Sequence, residues 1–217
     1  MSYYGDGRVS ADFCGLARRK RQAEDAKVFQ AYFTGCAGNI TAGKYNDGAK
    51  ENRPILRDHI YAGMVEAWKQ TKRHAVQKWE WRVQPVKLAP RKEASFGAAE
   101  SRKVMEDAKA AKAKRGNAAL QLAWLKRLET PIEVTCLHVG PAAVLSLPGE
   151  PFVEYQLKAQ SLRHDAFVCV AGYGDDGPGY LPTKDAYWQG GYEPTVALTD
   201  PSSEATLHAA MADVMKK

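Results

Sequence analysis

The stretch Val144 to Pro151, Val-Leu-Ser-Leu-Pro-Gly-Glu-Pro, constrains the fold more than any other part of the chain. A short apolar run stops at Pro-Gly, and a carboxylate follows just where a helical pattern begins. Glu150 is thereby expected at the carboxyl end of a buried strand, the crevice in which open α/β sheets place their ligands. Pro151 suits the first helical position, and Phe152, Tyr155 and Ala159 recur at helical spacing after it. The same pattern also fits a plain helix cap, an acidic group stabilised by the helix dipole.

The next segment weighs towards a site. Phe167-Val-Cys-Val-Ala171 reads as a second buried strand, rich in β-branched and aromatic residues. It enters Gly172-Tyr-Gly-Asp-Asp-Gly-Pro-Gly-Tyr180-Leu-Pro-Thr183, and the loop continues through Tyr187 and Trp188 to Gly190-Gly-Tyr192-Glu-Pro194. Loops this long are functional or disordered, and disordered segments are poor in aromatics. Two successive strand ends are therefore expected to deliver a carboxylate and several phenols to one sheet edge.

The remaining pattern gives an α/β order. Ser10 to Ala26 reads as a helix capped by Ser10, Val28 to Phe33 as a strand, and Gly35 to Gly48 as a loop. Pro54 to about Val76 reads as a long helix with Ile55, Ile60, Met64, Val65 and Trp68 on one face. Trp79, Trp81 and Val83 alternate with polar residues, which predicts a half-buried strand. Ala98 to Lys114 is helical, and Asn117 is expected to cap a further helix ending near Glu129. Ile132 to Val139 and Ala142 to Leu147 predict a hairpin about a Gly-Pro turn. Phe152 to Leu162 and Glu204 to Met215 complete the helices. With no internal repeat and no linker, the expectation is one α/β domain: a layered mixed sheet with flanking helices.

Composition narrows the class. A chain of 217 residues can bury one substantial core, or be a large piece of one. No stretch approaches eighteen uninterrupted apolar residues, so no membrane-spanning helix is expected. The net charge of +6 raises the question of nucleic acid. Arg18-Arg-Lys-Arg21 lacks interleaved aromatics or a recognised module, and the Lys103 to Arg115 stretch mixes acids among its bases. Both read as solvated surface, and no nucleic-acid partner is expected. Attraction to an anionic membrane surface is a remaining use of the charge. Cys14, Cys36, Cys136 and Cys169 show no Cys-x-x-Cys spacing and read as free thiols.

The motifs at Glu150 and Tyr180 to Tyr192 resemble those of the neutral/alkaline, non-lysosomal ceramidases, zinc-dependent amidases that cleave the N-acyl bond of ceramide. In that family the Glu of a Pro-Gly-Glu turn is a zinc ligand, which matches Glu150. A Tyr followed by an apolar residue and a Thr completes the zinc site, and Tyr180-Leu-Pro-Thr183 is similar. A second Tyr twelve residues on faces the reacting amide, the place of Tyr192. Phe33-Thr-Gly-Cys-Ala-Gly-Asn-Ile-Thr41 is similar to the strand-to-loop motif in which Ser-Asn-x-Gly-Asp-x-Ser is typical. Met1 to Asp12 resembles the segment after the third zinc histidine. The resemblance runs in matching order to about residue 195, with no matching motif from about Asn52 to Lys126.

Two departures qualify it. The family's three zinc histidines, a His-x-His pair and a single His, have no counterpart among His59, His74, His138, His164 and His208. The single His would fall immediately before Met1, so the chain reads as the rear of a truncated catalytic domain. Met1 to Arg21 lacks the apolar core of a signal peptide. For such a truncated chain this carries no information on export or secretion of the parent. The second departure is the nucleophile: Gly35 stands at the family's proposed catalytic Ser and Cys36 at the following Asn. Cys36 acts as a nucleophile only if its thiol ionises, and a small buried residue is the plainer reading.

The resemblance therefore implies a zinc-dependent hydrolase of an N-acyl amide, with a lipid as one candidate substrate, using metal-activated water. Glu150 and Tyr180 would hold zinc, Tyr192 would donate to the oxyanion, and Gly35, Gly38 and Asn39 would line the floor. The alternative is a non-catalytic binding module descended from the same fold. The chain alone is expected to be incomplete, inactive, and unable to bind zinc tightly.

Overall fold

The computed structural model describes residues 7–174 and 177–217, so residues 1–6 of the Met1 to Asp12 motif lie outside the described residues. The chain divides into two compact units: Met1–Phe33 with Thr41–Ala75, and Thr34–Ile40 with Val76–Lys217.

The first unit is a helix pair, α1 (Asp12–Glu24) and α2 (Asn52–Gln70). The helix begins at Asp12 rather than Ser10, with Ala11 and not Ser10 at its N-cap, and the Ser10 hydroxyl accepts from the Asp12 N–H at 3.0 Å just ahead of it. Arg53 pairs with Asp12 at 2.9 Å and Lys20 with Asp58 at 3.0 Å. Val28 to Phe33 forms no strand. Side chains of α1 take the backbone groups that a neighbouring strand would otherwise bind. Gln22 donates to the Val28 carbonyl and accepts from the Gln30 N–H, and Arg18 donates to the Gln30 carbonyl. Helix α2 stops at Gln70 rather than near Val76, with Thr71 extended beyond it. Its predicted apolar face is shallow, with Ile55 and Trp68 exposed, and the buried residue of α2 is Leu56, which the predicted face did not include.

The second unit carries the sheet. It runs β1 (Trp79–Val86), α3 (Ala98–Glu106), α4 (Lys112–Arg127), β2 (Ile132–Val139), β3 (Ala142–Pro148), β4 (Glu150–Pro151), α5 (Val153–Leu162) and β5 (Phe167–Gly174). Then follow β6 (Tyr180–Leu181), α6 (Ala186–Gln189), α7 (Tyr192–Val196) and α8 (Ser203–Val214). The main sheet has the order β1-β2-β3-β5. Its β2–β3 pair is the predicted hairpin, and β3 lies parallel to β5 after a crossover through α5. The result is an α/β fold with a mixed sheet flanked by helices. Among the described residues no helix is long and apolar enough to cross a membrane.

Three local expectations are corrected. The single helix from Ala98 to Lys114 is broken, because the Asp107 carboxylate accepts from the Lys109 N–H at 2.8 Å. Such a turn competes with helical hydrogen bonding. Asn117 consequently lies inside α4 and caps nothing. In β1 the burial is inverted: Trp79, Trp81 and Val83 are exposed, and Glu80, Arg82 and Gln84 face the side on which α8 packs. Pro85 is tolerated because β1 is a sheet edge, where a missing N–H costs no ladder bond.

The core lies between the sheet and α5 and α8. Val134, Cys136, Ala143, Leu145, Leu147, Val168 and Val170 meet Tyr155, Leu207, Met211 and Met215 there. These strand residues alternate with outward ones, the period-two pattern of a pleated sheet.

Candidate functional site

Glu150 lies just past the carboxyl end of β3, but it is not a helix cap. It forms β4, whose two residues pair in parallel with β6 in the register Glu150 with Tyr180 and Pro151 with Leu181. Helix α5 begins only at Val153, and no side chain of its own flanking residues caps it. The first-turn Val153 N–H donates instead to the Asn39 side-chain oxygen at 2.8 Å. Among the described residues, no hydrogen bond or ion pair reaches the Glu150 carboxylate, and burial alone raises its pKa above the ordinary range. Two neighbouring residues paired in a parallel ladder project to the same side, so Glu150 and Tyr180 share one face.

The turn that sets this geometry is backbone-built. Glu150 N–H donates to the Gly179 carbonyl at 2.7 Å, Phe152 N–H to Leu181 at 3.2 Å, and Tyr173 N–H to Gly149 at 2.7 Å. Gly149 has φ +61°, and a Cβ there would stand 2.6 Å from the Gly179 carbonyl oxygen. Glycine is thus required for the Pro-Gly-Glu turn. Tyr155 ties the far side down, its hydroxyl donating to the Pro182 carbonyl at 3.1 Å.

Tyr192, the first residue of α7, stacks edge-on against Tyr180 with ring centroids 6.1 Å apart. It is exposed. Tyr173 joins the same neighbourhood and was not singled out from the sequence. Its phenol is pushed above its ordinary pKa by burial first, then by the nearby Glu150, Tyr180 and Cys36. Its φ of +64° is unusual for a residue with a side chain, and such strain clusters at functional sites. The legible signal was Gly172-Tyr-Gly174, a tyrosine bracketed by glycines at a strand end.

The loop Gly35 to Asn39 meets this turn from the other side. Gly38 N–H donates to the Pro151 carbonyl at 2.9 Å, and a Cβ on Gly38 would lie 2.3 Å from the Glu150 carbonyl oxygen. Gly172 N–H donates to the Thr34 carbonyl at 2.9 Å. The Asn39 side chain is engaged on α5, donating also to Glu154 at 3.0 Å. At Gly35 a Cβ would sit 2.4 Å from the Gln156 Oε1, so the space that a side chain at position 35 would take is occupied by the glutamine amide. Gln156 also accepts from the Cys36 N–H at 3.2 Å. Cys36 is buried, and burial pushes its thiol up to about 12, outweighing that hydrogen bond. The thiol is protonated at neutral pH.

A catalytic zinc site usually takes three protein ligands and keeps one position open. Among the described residues no three His, Cys, Asp or Glu side chains gather to hold a metal. His138 does not fill the gap, since its Nε2 is 2.8 Å from the Val214 carbonyl oxygen, on the helix side of the sheet. Glu150 and Tyr180 offer two oxygen donors, and among the described residues no others complete a zinc site.

No protein-family model matches the sequence, and no curated protein matches it. The fold, however, is similar to that of a neutral ceramidase from Pseudomonas aeruginosa, with a TM-score of 0.66 at 14% sequence identity. It is likewise similar to a ceramidase complexed with C2, with a TM-score of 0.68 at 14% identity. Both alignments cover 95% of this chain, which spans 40% and 42% of the respective ceramidase chains.

Proposed function

We propose that this chain is the part of a ceramidase-like amide hydrolase that carries two metal ligands and the oxyanion donor. The two compact units are read as pieces of one incomplete catalytic domain. The observation that carries the reading is the pairing of Glu150 with Tyr180, with Tyr192 edge-on to Tyr180, on a fold shared with ceramidases. Glu150 and Tyr180 are assigned as zinc ligands whose set is completed by residues outside this chain. Zinc, when bound, supplies Lewis acidity and an acidified water, so no side-chain nucleophile is needed. That agrees with Gly35 and with the protonated, buried thiol of Cys36.

Tyr192 is assigned as the donor to the oxygen of the reacting carbonyl as negative charge develops there. An O–H aimed at that position contributes only in the transition state. The Gly35, Gly38 and Asn39 loop shapes the floor and holds Glu150 by backbone contact rather than by reacting. The substrate class is a linear N-acyl amide, with a lipid amide suggested by what the structural neighbours act on. A second reading, a binding module descended from the fold, is favoured by one observation, the absence of a complete ligand set among the described residues.

The deciding experiment measures zinc content and N-acyl amide hydrolysis in a protein that carries the rest of the fold. Stoichiometric zinc and turnover, both lost in Glu150→Gln, are expected. A protein with neither metal nor turnover would leave the binding-module reading.

A further inference from the structure

Tyr192 stands on a support too short to hold itself. Helix α7 has five residues, whereas a free helix needs about 12–15. Gly190 and Gly191 precede it at φ +84° and +116°, a backbone region that favours glycine. A Cβ at Gly190 would meet nothing within 4 Å, so packing does not brace this joint. The far end of α7 is held instead from the loop after β1. There Arg91 donates from Nη1 to the Pro194 carbonyl at 2.8 Å. The helix ends at Val196, so this carbonyl belongs to the last-turn acceptors that a helix leaves open and that basic side chains satisfy. Arg91 is itself fixed on several sides, its side chain only 13% exposed. Its guanidinium carbon lies 4.4 Å from the centre of the Phe96 ring and 5.2 Å from that of Tyr187 on α6. Glu93 accepts from its Nε at 3.0 Å, and its backbone N–H donates to the Leu198 carbonyl at 3.1 Å.

We infer that Arg91 is a positioning residue for Tyr192, clamping α7 so that the two-glycine joint cannot swing the phenol away from Tyr180. The guanidinium grips both sides of that joint. It stacks on Tyr187 in α6, ahead of the glycines, and bonds Pro194 in α7, beyond them. Arginine suits this task because one planar group stacks on a ring and donates in two directions at once, which a lysine ammonium cannot do. Precision matters at such a place, since a reacting group displaced by about 1 Å can cost roughly a hundredfold in rate. The importance of the clamp rests on the reading of Tyr192 as oxyanion donor. The clamp itself is a property of residues 1–217 and can be measured without turnover. An arginine that only added stability would loosen the whole second unit when removed, not this one ring.

The test places a fluorinated tyrosine at position 192 of this chain and records its fluorine NMR line, with a second sample labelled at the buried Tyr155 as reference. Arg91→Met keeps an apolar stem and removes the donor. Lys92→Met removes the same charge one residue along, from a side chain 84% exposed, and serves as control. The parent and the Lys92 variant are expected to give one Tyr192 line, displaced from the free amino acid by the Tyr180 ring. In Arg91→Met that line should move to the free position and sharpen, while the Tyr155 line stays in place. Arg91→Lys keeps the charge without the planar fork and should fall between the two. A Tyr192 line that ignores Arg91→Met, a Tyr155 line that moves as far, or a parent line already at the free position would each overturn the inference. Should Arg91→Met not fold, a parent-like Tyr192 line in Arg91→Lys would overturn it. Failure of the amidase reading shows instead in zinc content and hydrolysis and leaves these spectra unchanged.

Discussion

Glu150 and Tyr180 stand opposite each other in a two-residue parallel ladder, and that pairing places a carboxylate and a phenol at the carboxyl end of the β3–β5 pair. Strand β6 and helix α6 lie between β5 and Tyr192 in the chain, and backbone hydrogen bonds at Gly149, Glu150 and Phe152 tie β5 and β6 to the turn. A short main-chain ladder is a rigid way to hold two ligands. It does not depend on either side chain finding a hydrogen-bond partner.

The first prediction concerns zinc. Residues 1–217 as purified are expected to retain no stoichiometric zinc after dialysis against a mild chelator, because two oxygen donors fall short of a catalytic set. Elemental analysis reads this directly. Glu150→Gln should then leave the metal content of this chain unchanged, whereas in a protein carrying the rest of the fold it should lower it. Tight zinc in the chain alone would mean that other residues complete the site.

The second concerns the two close glycines. A Cβ at Gly38 meets the Glu150 backbone oxygen at 2.3 Å, and backbone cannot swing aside. Gly38→Ala should destabilise by about 1–3 kcal/mol, the usual cost of overpacking. At Gly35 the obstacle is the end of the Gln156 side chain, which can move. Gly35→Ala should therefore cost less, about 1 kcal/mol, chiefly through the lost acceptor for the Cys36 N–H. Urea unfolding midpoints of the two variants give the comparison, and equal losses would show that Gln156 is held as firmly as backbone.

The third concerns thiols. Burial holds Cys36 at about 12 and Cys136 at about 11, while Cys169 is exposed. Alkylation of the native chain at pH 8 should label Cys169 and spare Cys36 and Cys136 until urea is added. The same shifts set an alkaline limit. Below about pH 8.5 both states keep a neutral thiol, and above it the unfolded chain ionises first. Stability from Cys36 is thus intact at neutral pH and lost progressively as pH rises towards about 12. Rapid labelling of Cys36 at pH 8 would reopen it as a nucleophile.

Much of this site was legible in the chain, and the exceptions have local causes. Pro148-Gly-Glu150 signalled a strand end followed by a sharp turn, because only glycine suits φ +61° at Gly149. Periodicity located the β2–β3 hairpin, α5, β5 and α8 for the same reason, since each buries one regular face against the core. Val28 to Phe33 has strand composition, but among the described residues no strand pairs with it, and Gln22 bonds its backbone instead. Strand propensity reports fit to a sheet surface, not the presence of a neighbour. The face of β1 was misread because apolar alternation names a face without saying which side the helices cover. Asn39, placed at the floor by the resemblance, also serves α5 as a remote cap, a contact between distant residues that local spacing does not reveal. Losing such a cap costs about 1 kcal/mol.

The last prediction concerns Tyr192 in a protein that carries the rest of the fold. Its ring meets Tyr180 edge-on at 6.1 Å, and its exposure leaves the hydroxyl accessible to a ligand. Tyr192→Phe keeps the ring and its contact with Tyr180, so folding and zinc content should be unchanged. Only one O–H is removed. If that group donates to the oxyanion alone, the rate constant should fall by roughly two to three powers of ten while the Michaelis constant moves little. Glu150→Gln differs, costing metal as well as rate. Steady-state kinetics on an N-acyl amide, paired with zinc analysis, separate the two. If Tyr192 only packs the loop near Trp188, the Phe variant will turn over as the parent does, and the oxyanion donor must then be sought at another group of the cluster, Tyr173 first.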